Sequence, residues 1–313
     1  MKISTYIPVY QKSFFEHENP FDIFVANLIL EFLQMNHQIV RHDEAADVNL
    51  IFNQIGEVRE DTPNILIVGD SFIPFLFLKK YQDRLLEKFK KIDSIIYRSK
   101  AARDAFHKNI GKKKNEWIIL GGISHDHILN PPYVNFQKPN GEIITSDYDM
   151  WLYAGHLYPG SGLRESILYF VENSLENSIM IVLGEPESVR WETLKPLVDE
   201  FGEDMDSKII QLAAASEISV ISAIKQCNKF VNLSQFLYSY DLFCTAAIFN
   251  RHIICAESAV REDIFGNNCT VLKKDGQVLY RKERDIEESA LKNLLIKSVA
   301  KEYFDKILFT IKG

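Results

Sequence analysis

The stretch WLYAGHLYPGSGLRES, Trp151 to Ser166, carries an apolar run into a loop with three glycines and then into a helical period. A strand, a glycine loop and a helix in that order can hold an anion. Successive backbone N–H groups make a concave nest, and a helix N-terminus adds partial positive charge. Gly160-Ser161-Gly162 is the candidate nest, with Gly155 at the end of the run, and His156 becomes cationic if a phosphate raises its pKa. A plain strand-to-helix turn, with glycine supplying the backbone angles, accounts for the same residues. Asp70 ends a second apolar run, NILIVGD, where a carboxylate can serve as general base toward a hydroxyl. Equally, Asp70 or Ser71 can cap the helix that follows. Asp241 and Thr245 lie one helical turn apart and share a face, and Tyr238 and Tyr240 beside them can stack on a base or sugar or pack in a core. His125-Asp126-His127 has the residue types of a metal site but no further ligands nearby, so no metal is expected.

Positioning these groups requires alternating strands and helices. In the first half, strands are expected at Lys2–Val9, Gln38–Arg41, Val48–Phe52, Asn64–Val68, Ser94–Tyr97 and Trp117–Leu120, with helices near Phe21–Met35, Ile73–Lys90 and Lys100–Asn109. Continuously apolar strands suit a parallel sheet covered on both faces. Residues 126–149 are rich in Pro, Asn and Gly and read as a linker. Strands then recur at Met150–Ala154, Ser178–Leu183, Lys208–Leu212, Lys229–Leu233 and His252–Ala256. Helices alternate with them at Gly162–Leu175, Ser188–Phe201, Glu217–Cys227 and Tyr238–Asn250, and residues 285–313 read as one or two amphipathic helices. The expected organisation is therefore an α/β domain over 1–125, the linker, a second α/β domain over 150–284 and the terminal helices, with a ligand cleft between the domains.

Composition bounds the partners. The chain has 313 residues, 46% hydrophobic and 25% charged, with a net charge of -7 that argues against nucleic acid. The lysine clusters Lys88, Lys90, Lys91 and Lys112 to Lys114 read as solvated ends of elements. Four cysteines without CxxC spacing read as small buried thiols of a reducing compartment, and no run approaches the length of a membrane span. A cytoplasmic protein is expected, with membrane contact only at its surface.

The order of the segments resembles GT-B glycosyltransferases, especially the family 4 (group 1) type. KIDSIIYRSKAARDAFHK with EWIILGGISHDHILNPP is similar to the segment closing the family's N-terminal domain, and the order "YAG…G", "IVLGEPES", "KIIQLAAASEISVISAIKQCNKFVNLSQ", "AAIFNRHIICAES" is similar to its donor domain. LILEFLQMNHQIV resembles its first helix and strand, with Asn36 where the family has Gly. The resemblance implies two Rossmann-like domains facing across a cleft, with terminal helices crossing back. It implies a nucleotide-sugar as co-substrate, no bound cofactor, and a glycan, lipid-linked or protein acceptor in surface polysaccharide or glycoconjugate synthesis. Work at the inner face of the membrane, as a homo-oligomer or beside a partner transferase, fits the same picture.

By the same resemblance the donor site comprises Gly155, Gly160, Ser161, Gly162, Arg164, Gly184, Tyr238, Asp241 and Thr245, with Asp70 and His156 as the catalytic candidates. At four diagnostic positions the chain departs from the family: His156 stands for Arg, Ser161 for Lys, and Leu237 and Thr245 for the two Glu of the acidic pair. Arg164 is the candidate replacement for the lysine, and Asp241 for the carboxylate on the ribose. Asn250 and His252 take the places of the family's Gly and Pro. The alternative expectation is a catalytically degenerate GT-B protein that binds glycan or serves an active transferase.

Overall fold

The computed structural model describes residues 1–5, 20–42, 44–53, 58–122, 131, 133, 135–138, 140–155, 161–184, 191–213, 217–234, 240–257, 268–273, 275–283 and 292–312. The chain forms two compact units, Met1–His125 with Lys292–Gly313, and Asp126–Leu291. Both are α/β, and among the described residues no helix is long and apolar enough to cross a membrane.

In the first unit, β1 (Lys2–Thr5), β2 (Gln38–Val40), β3 (Val48–Phe52), β4 (Asn64–Val68), β5 (Ser94–Tyr97) and β6 (Asn115–Ile118) form a parallel sheet in the order β2-β1-β3-β4-β5-β6. Side chains along a strand alternate between faces, so an all-apolar strand needs cover on both. On β4, Ile65 and Ile67 join the cluster that contains α1 (Pro20–Gln34) and the C-terminal helix (Ile296–Lys312). Leu66 and Val68 join the opposite cluster, with Leu85 of α2 (Lys79–Phe89) and Phe106 of α3 (Lys100–Asn109). Val48–Phe52, Asn64–Val68, Ser94–Tyr97 and Lys100–Asn109 occupy the spans expected from sequence.

Three spans differ. The sixth strand begins at Asn115, two residues before the expected Trp117. The expected helix Ile73–Lys90 is divided: Asp70–Phe77 is a 3-10 helix, Leu78 is extended, and α2 begins at Lys79. Pro74 has no N–H for an α-helical bond, which accounts for the short tighter turn. The expected terminal helices resolve into one helix from Ile296, preceded by Leu294, which is buried.

The C-terminal helix belongs to the first unit because the chain re-enters there across Gly121 and Gly122. The Gly122 N–H donates to Leu294 O at 2.7 Å. A Cβ on Gly121 would lie 2.6 Å from the Leu294 backbone, and one on Gly122 would lie 2.4 Å from the Phe24 ring. Both have positive φ, 91° and 112°, so glycine is demanded twice over. Arg98, buried, places its guanidinium 3.8 Å from the Phe24 ring centroid and donates to Gly121 O at 2.9 Å. Tyr303 packs on Phe24 at 5.9 Å, Phe309 on Trp117 at 5.7 Å, and His37 stacks on Phe304 at 4.4 Å. Both ring nitrogens of His37 are buried without a hydrogen-bond partner. Burial, then the nearby N-terminal ammonium, holds its pKa below the ordinary 6.5.

In the second unit, β7 (Asp149–Ala154), β8 (Ser178–Gly184), β9 (Ile209–Ala213), β10 (Lys229–Asn232), β11 (His252–Ala256), β12 (Asn268–Leu272) and β13 (Val278–Glu283) form a sheet in the order β13-β12-β11-β10-β7-β8-β9. All neighbours are parallel except β12 and β13. That closing hairpin was not anticipated, although Asp275-Gly276 between two β-rich runs is a turn signal. The helices are α4 (Leu163–Asn173), α5 (Trp191–Asp199), α6 (Glu217–Gln226) and α7 (Tyr240–Ile248). All four cysteines are free and buried, and burial pushes the Cys227 thiol up to about 12, which leaves it inert.

Two outcomes follow for the re-entrant contact. Gly122→Ala should cost about 2–4 kcal/mol in chemical denaturation, the sum of left-handed strain and overpacking. Gly141, with φ 86° and nothing within 4 Å of a Cβ, isolates the strain, so Gly141→Ala should cost only about 1–2 kcal/mol. Equal costs would remove the contact from the explanation. For His37 the unfolded chain binds its proton at higher pH than the folded one, so stability falls as pH drops below about 6.5. His37→Phe keeps the stack and should flatten the stability profile between about pH 5 and 7.

Candidate functional site

The second sheet has its topological switch between β7 and β10: β8 and β9 continue from β7 on one side, and β11 to β13 lie beyond β10 on the other. In open α/β sheets the crevice outside the carboxyl ends at such a point is where ligands bind. The Gly-rich loop of the sequence leaves β7 there. Gly155 follows the strand, its N–H donating to Leu183 O at 3.1 Å. Residues 156–160, with the predicted His156 and Gly160, lie outside the described residues, and the chain continues at Ser161.

Gly162 is the N-cap of α4 in the left-handed conformation, φ 82° and ψ 7°, and no side chain caps the helix. It sits on the backbone that leaves β10: a Cβ would be 2.1 Å from Ser234 N and 2.3 Å from Leu233 C. Ser166, buried one turn into the helix, donates from Oγ to Gly162 O at 2.6 Å and accepts from the Leu233 N–H at 3.1 Å. Asn232 ties the strand ends, donating from Nδ2 to Ala154 O at 3.2 Å and accepting from the Ser234 N–H at 3.0 Å. Tyr153, buried, donates its hydroxyl to Ser161 O at 3.2 Å, and burial pushes that phenol above its ordinary range. The start of α4 is thus held rigidly against the ends of β7 and β10.

Ser161 is 4% exposed, and its Oγ is buried with no hydrogen-bond partner. A buried polar atom left unpaired costs about 1–3 kcal/mol, so one at the uncapped start of a helix calls for a ligand. The hydroxyl donates one hydrogen bond and the helix end supplies partial positive charge, which together suit an oxyanion.

The other predicted residues are placed differently. Arg164 lies in the first turn of α4, but its guanidinium pairs with Glu200 at 3.0 Å, both side chains being more than half exposed. Its expected role in place of the family's lysine gains no support from that pairing. Gly184 ends β8, next to β7, with its partner Ala213 on β9. Thr245 is 2% exposed within a run, Phe243 to Ala247, that is buried throughout α7. Asp241 is the second residue of α7, its side chain undescribed, and Tyr238 lies outside the described residues. In the first unit Asp70 opens the 3-10 helix behind β4, where the N-cap is Gly69 rather than Asp70 or Ser71. The side chain of Asp70 is not described, and the motif His125-Asp126-His127 lies outside the described residues. Sequence reading missed Asn232 and Ser166 and read Ser234 only as a strand end. The signal available was the change from apolar to polar at the end of KFVNLSQ.

Two positions where the chain departs from the resembling family have a backbone reason. Asn36 (φ 62°) and Asn250 (φ 52°) stand where the family has Gly, and both take the left-handed conformation past a helix end. Asn is the side chain that best tolerates it.

No family model and no curated protein matches the sequence. Solved structures do match over the whole length. Anabaena Alr3699/HepE, in complex with UDP and glucose, superposes with a TM-score of 0.62 at 10% identity, covering 100% of this chain and 97% of that one. WaaG, a glycosyltransferase involved in lipopolysaccharide biosynthesis, gives 0.59 at 10% identity, covering 99% and 93%. Sucrose-phosphate synthase from Thermosynechococcus elongatus gives 0.61 at 9% identity, covering 99% and 94%. The chain has the GT-B fold.

The Gly162 contact gives a direct test. Gly162→Ala must displace backbone rather than a flexible side chain, and should cost about 3 kcal/mol or more in equilibrium unfolding of the second unit. A loss below about 1 kcal/mol would mean that α4 does not press on the Leu233–Ser234 backbone.

Proposed function

We propose that the protein is a glycosyltransferase that takes a sugar from a UDP- or GDP-sugar, with the donor diphosphate at the start of α4. The observation that carries this reading is Ser161 Oγ, buried and unpartnered at an uncapped helix N-terminus on the switch point of the sheet. A transferred sugar leaves behind a nucleoside diphosphate on which negative charge grows. Fixed N–H dipoles and one hydroxyl stabilise that charge without a metal and without reorganising. The complexed UDP and glucose of the Alr3699/HepE structure support a diphosphate donor, and the glycosyltransferase WaaG supports transfer as the chemistry. The acceptor is a glycan, a lipid-linked sugar or a protein, in surface polysaccharide or glycoconjugate synthesis. Asp70, at the carboxyl edge of the first sheet, is the proposed base for its hydroxyl, and His156 the proposed cation at the donor phosphate.

A second reading is favoured by one observation: Arg164 is engaged by Glu200, while Ser161 and Thr245 carry no charge where the resembling family has Lys and Glu. Such a protein would bind donor or glycan without turnover. Donor hydrolysis or transfer in the presence of bound nucleotide separates the two.

Thermal-shift titration with UDP, GDP, CMP and their sugar conjugates tests the common core. A ligand at about 1,000 times its Kd adds about 4 kcal/mol of stability, and no shift with any nucleotide ends the reading. Ser161→Ala should leave the free protein equally stable or more so, because it removes an unpaired buried hydroxyl. The same change should weaken nucleotide binding by about tenfold or more, the worth of a hydrogen bond to a charged group. Unchanged affinity would take the phosphate away from Ser161.

A further inference from the structure

We propose that the first unit docks on an anionic bilayer surface, inserting Phe75, Phe77 and Leu78 at the interface and setting Lys79, Lys80 and Arg84 against lipid phosphates. The inference does not depend on nucleotide binding by the second unit. In the segment FIPFLFLKKYQDRLLEKFK the apolar side chains that should be interior are not: Phe75 is 40% exposed, Phe77 53% and Leu78 51%, with Leu86 of α2 at 46%. These rings are not loose. Phe75 stacks on the buried Phe72 at 5.9 Å and meets Tyr81 edge-on at 5.2 Å, so the short 3-10 helix holds its aromatic residues in place while leaving them wet. Clustered exposed aromatics on a soluble unit mark a contact surface.

The charge beside them selects the partner. Between residues 79 and 90 five cations stand against two carboxylates, in a chain whose net charge is -7. Lys79, Lys80 and Arg84 are exposed, and none of them makes an ion pair among the described residues. Aromatic and leucine side chains next to lysines are the composition that lies in a headgroup layer: rings enter the acyl boundary, and each lysine near an anionic surface adds attraction. An acidic overall charge opposes such a surface everywhere else, so this local reversal confines contact to one edge of the unit. A nucleic acid would be met by the same lysines but gives exposed Phe77 and Leu78 no apolar phase to enter.

Co-sedimentation of the whole protein with vesicles decides it, using phosphatidylcholine alone or with about a third phosphatidylglycerol. The protein should pellet with the anionic vesicles and stay in solution with the neutral ones. Raising salt from about 0.1 to 0.5 M should reduce partitioning several-fold. Phe75→Ser with Phe77→Ser should lower partitioning by about tenfold, and Lys79→Glu with Lys80→Glu by about as much while removing its dependence on phosphatidylglycerol. The lysines are exposed, so the second variant should melt with the wild type. If the first variant melts lower, the second alone carries the test. Wild type that ignores anionic vesicles, or charge-reversed protein that binds them as well as wild type, overturns the proposal. So does a dimer in solution that Phe77→Ser dissociates, which would make the patch a protein interface.

Discussion

The contact on which the candidate site rests is one where a side chain is missing. Gly162 lets the start of α4 lie against the backbone leaving β10, closer than any Cβ allows. That approach brings three strand and helix ends to one point and buries Ser161 while leaving its hydroxyl without a protein partner. Ser166, Asn232 and Tyr153 satisfy the surrounding backbone groups, so the cost of burial is confined to one atom. A site held this way does not reorganise when an anion arrives, which is why fixed dipoles can be effective there.

The first unit is organised around a second close approach. The chain returns over Gly121 and Gly122, and its last helix covers the face of the sheet that α1 leaves open. Ile3, Ile65, Ile67 and Ile96 would otherwise be exposed on that face, and each buried aliphatic side chain contributes about 1.5–3 kcal/mol. The terminal helix is therefore part of the core of a unit whose other residues lie nearly two hundred positions earlier.

Much of the fold was legible in the residues. Strands such as NILIV announce a two-sided parallel sheet because both alternating sets of side chains are apolar. The Pro74 break and the closing hairpin at Asp275-Gly276 were also written locally, and their local signals were outweighed by the longer helical pattern around them. The donor loop was legible as a glycine-rich turn, and two of the residues that replace family glycines, Asn36 and Asn250, proved to preserve a backbone conformation.

By itself, then, the sequence determined the alternation of elements, the covered sheets and the loop that carries Gly162, since each depends on local periodicity and backbone freedom. Which glycine requirement arises from torsion and which from a neighbour 70 residues away was decided only in three dimensions. Gly162 meets Leu233 and Ser234, Gly121 meets Leu294, and no local pattern encodes either encounter. The same holds for charge: Arg164 reads as a cation at a helix start, and only folding brings Glu200 to it. Pairing and burial are properties of who arrives next to whom, and that is set by the packing of whole elements.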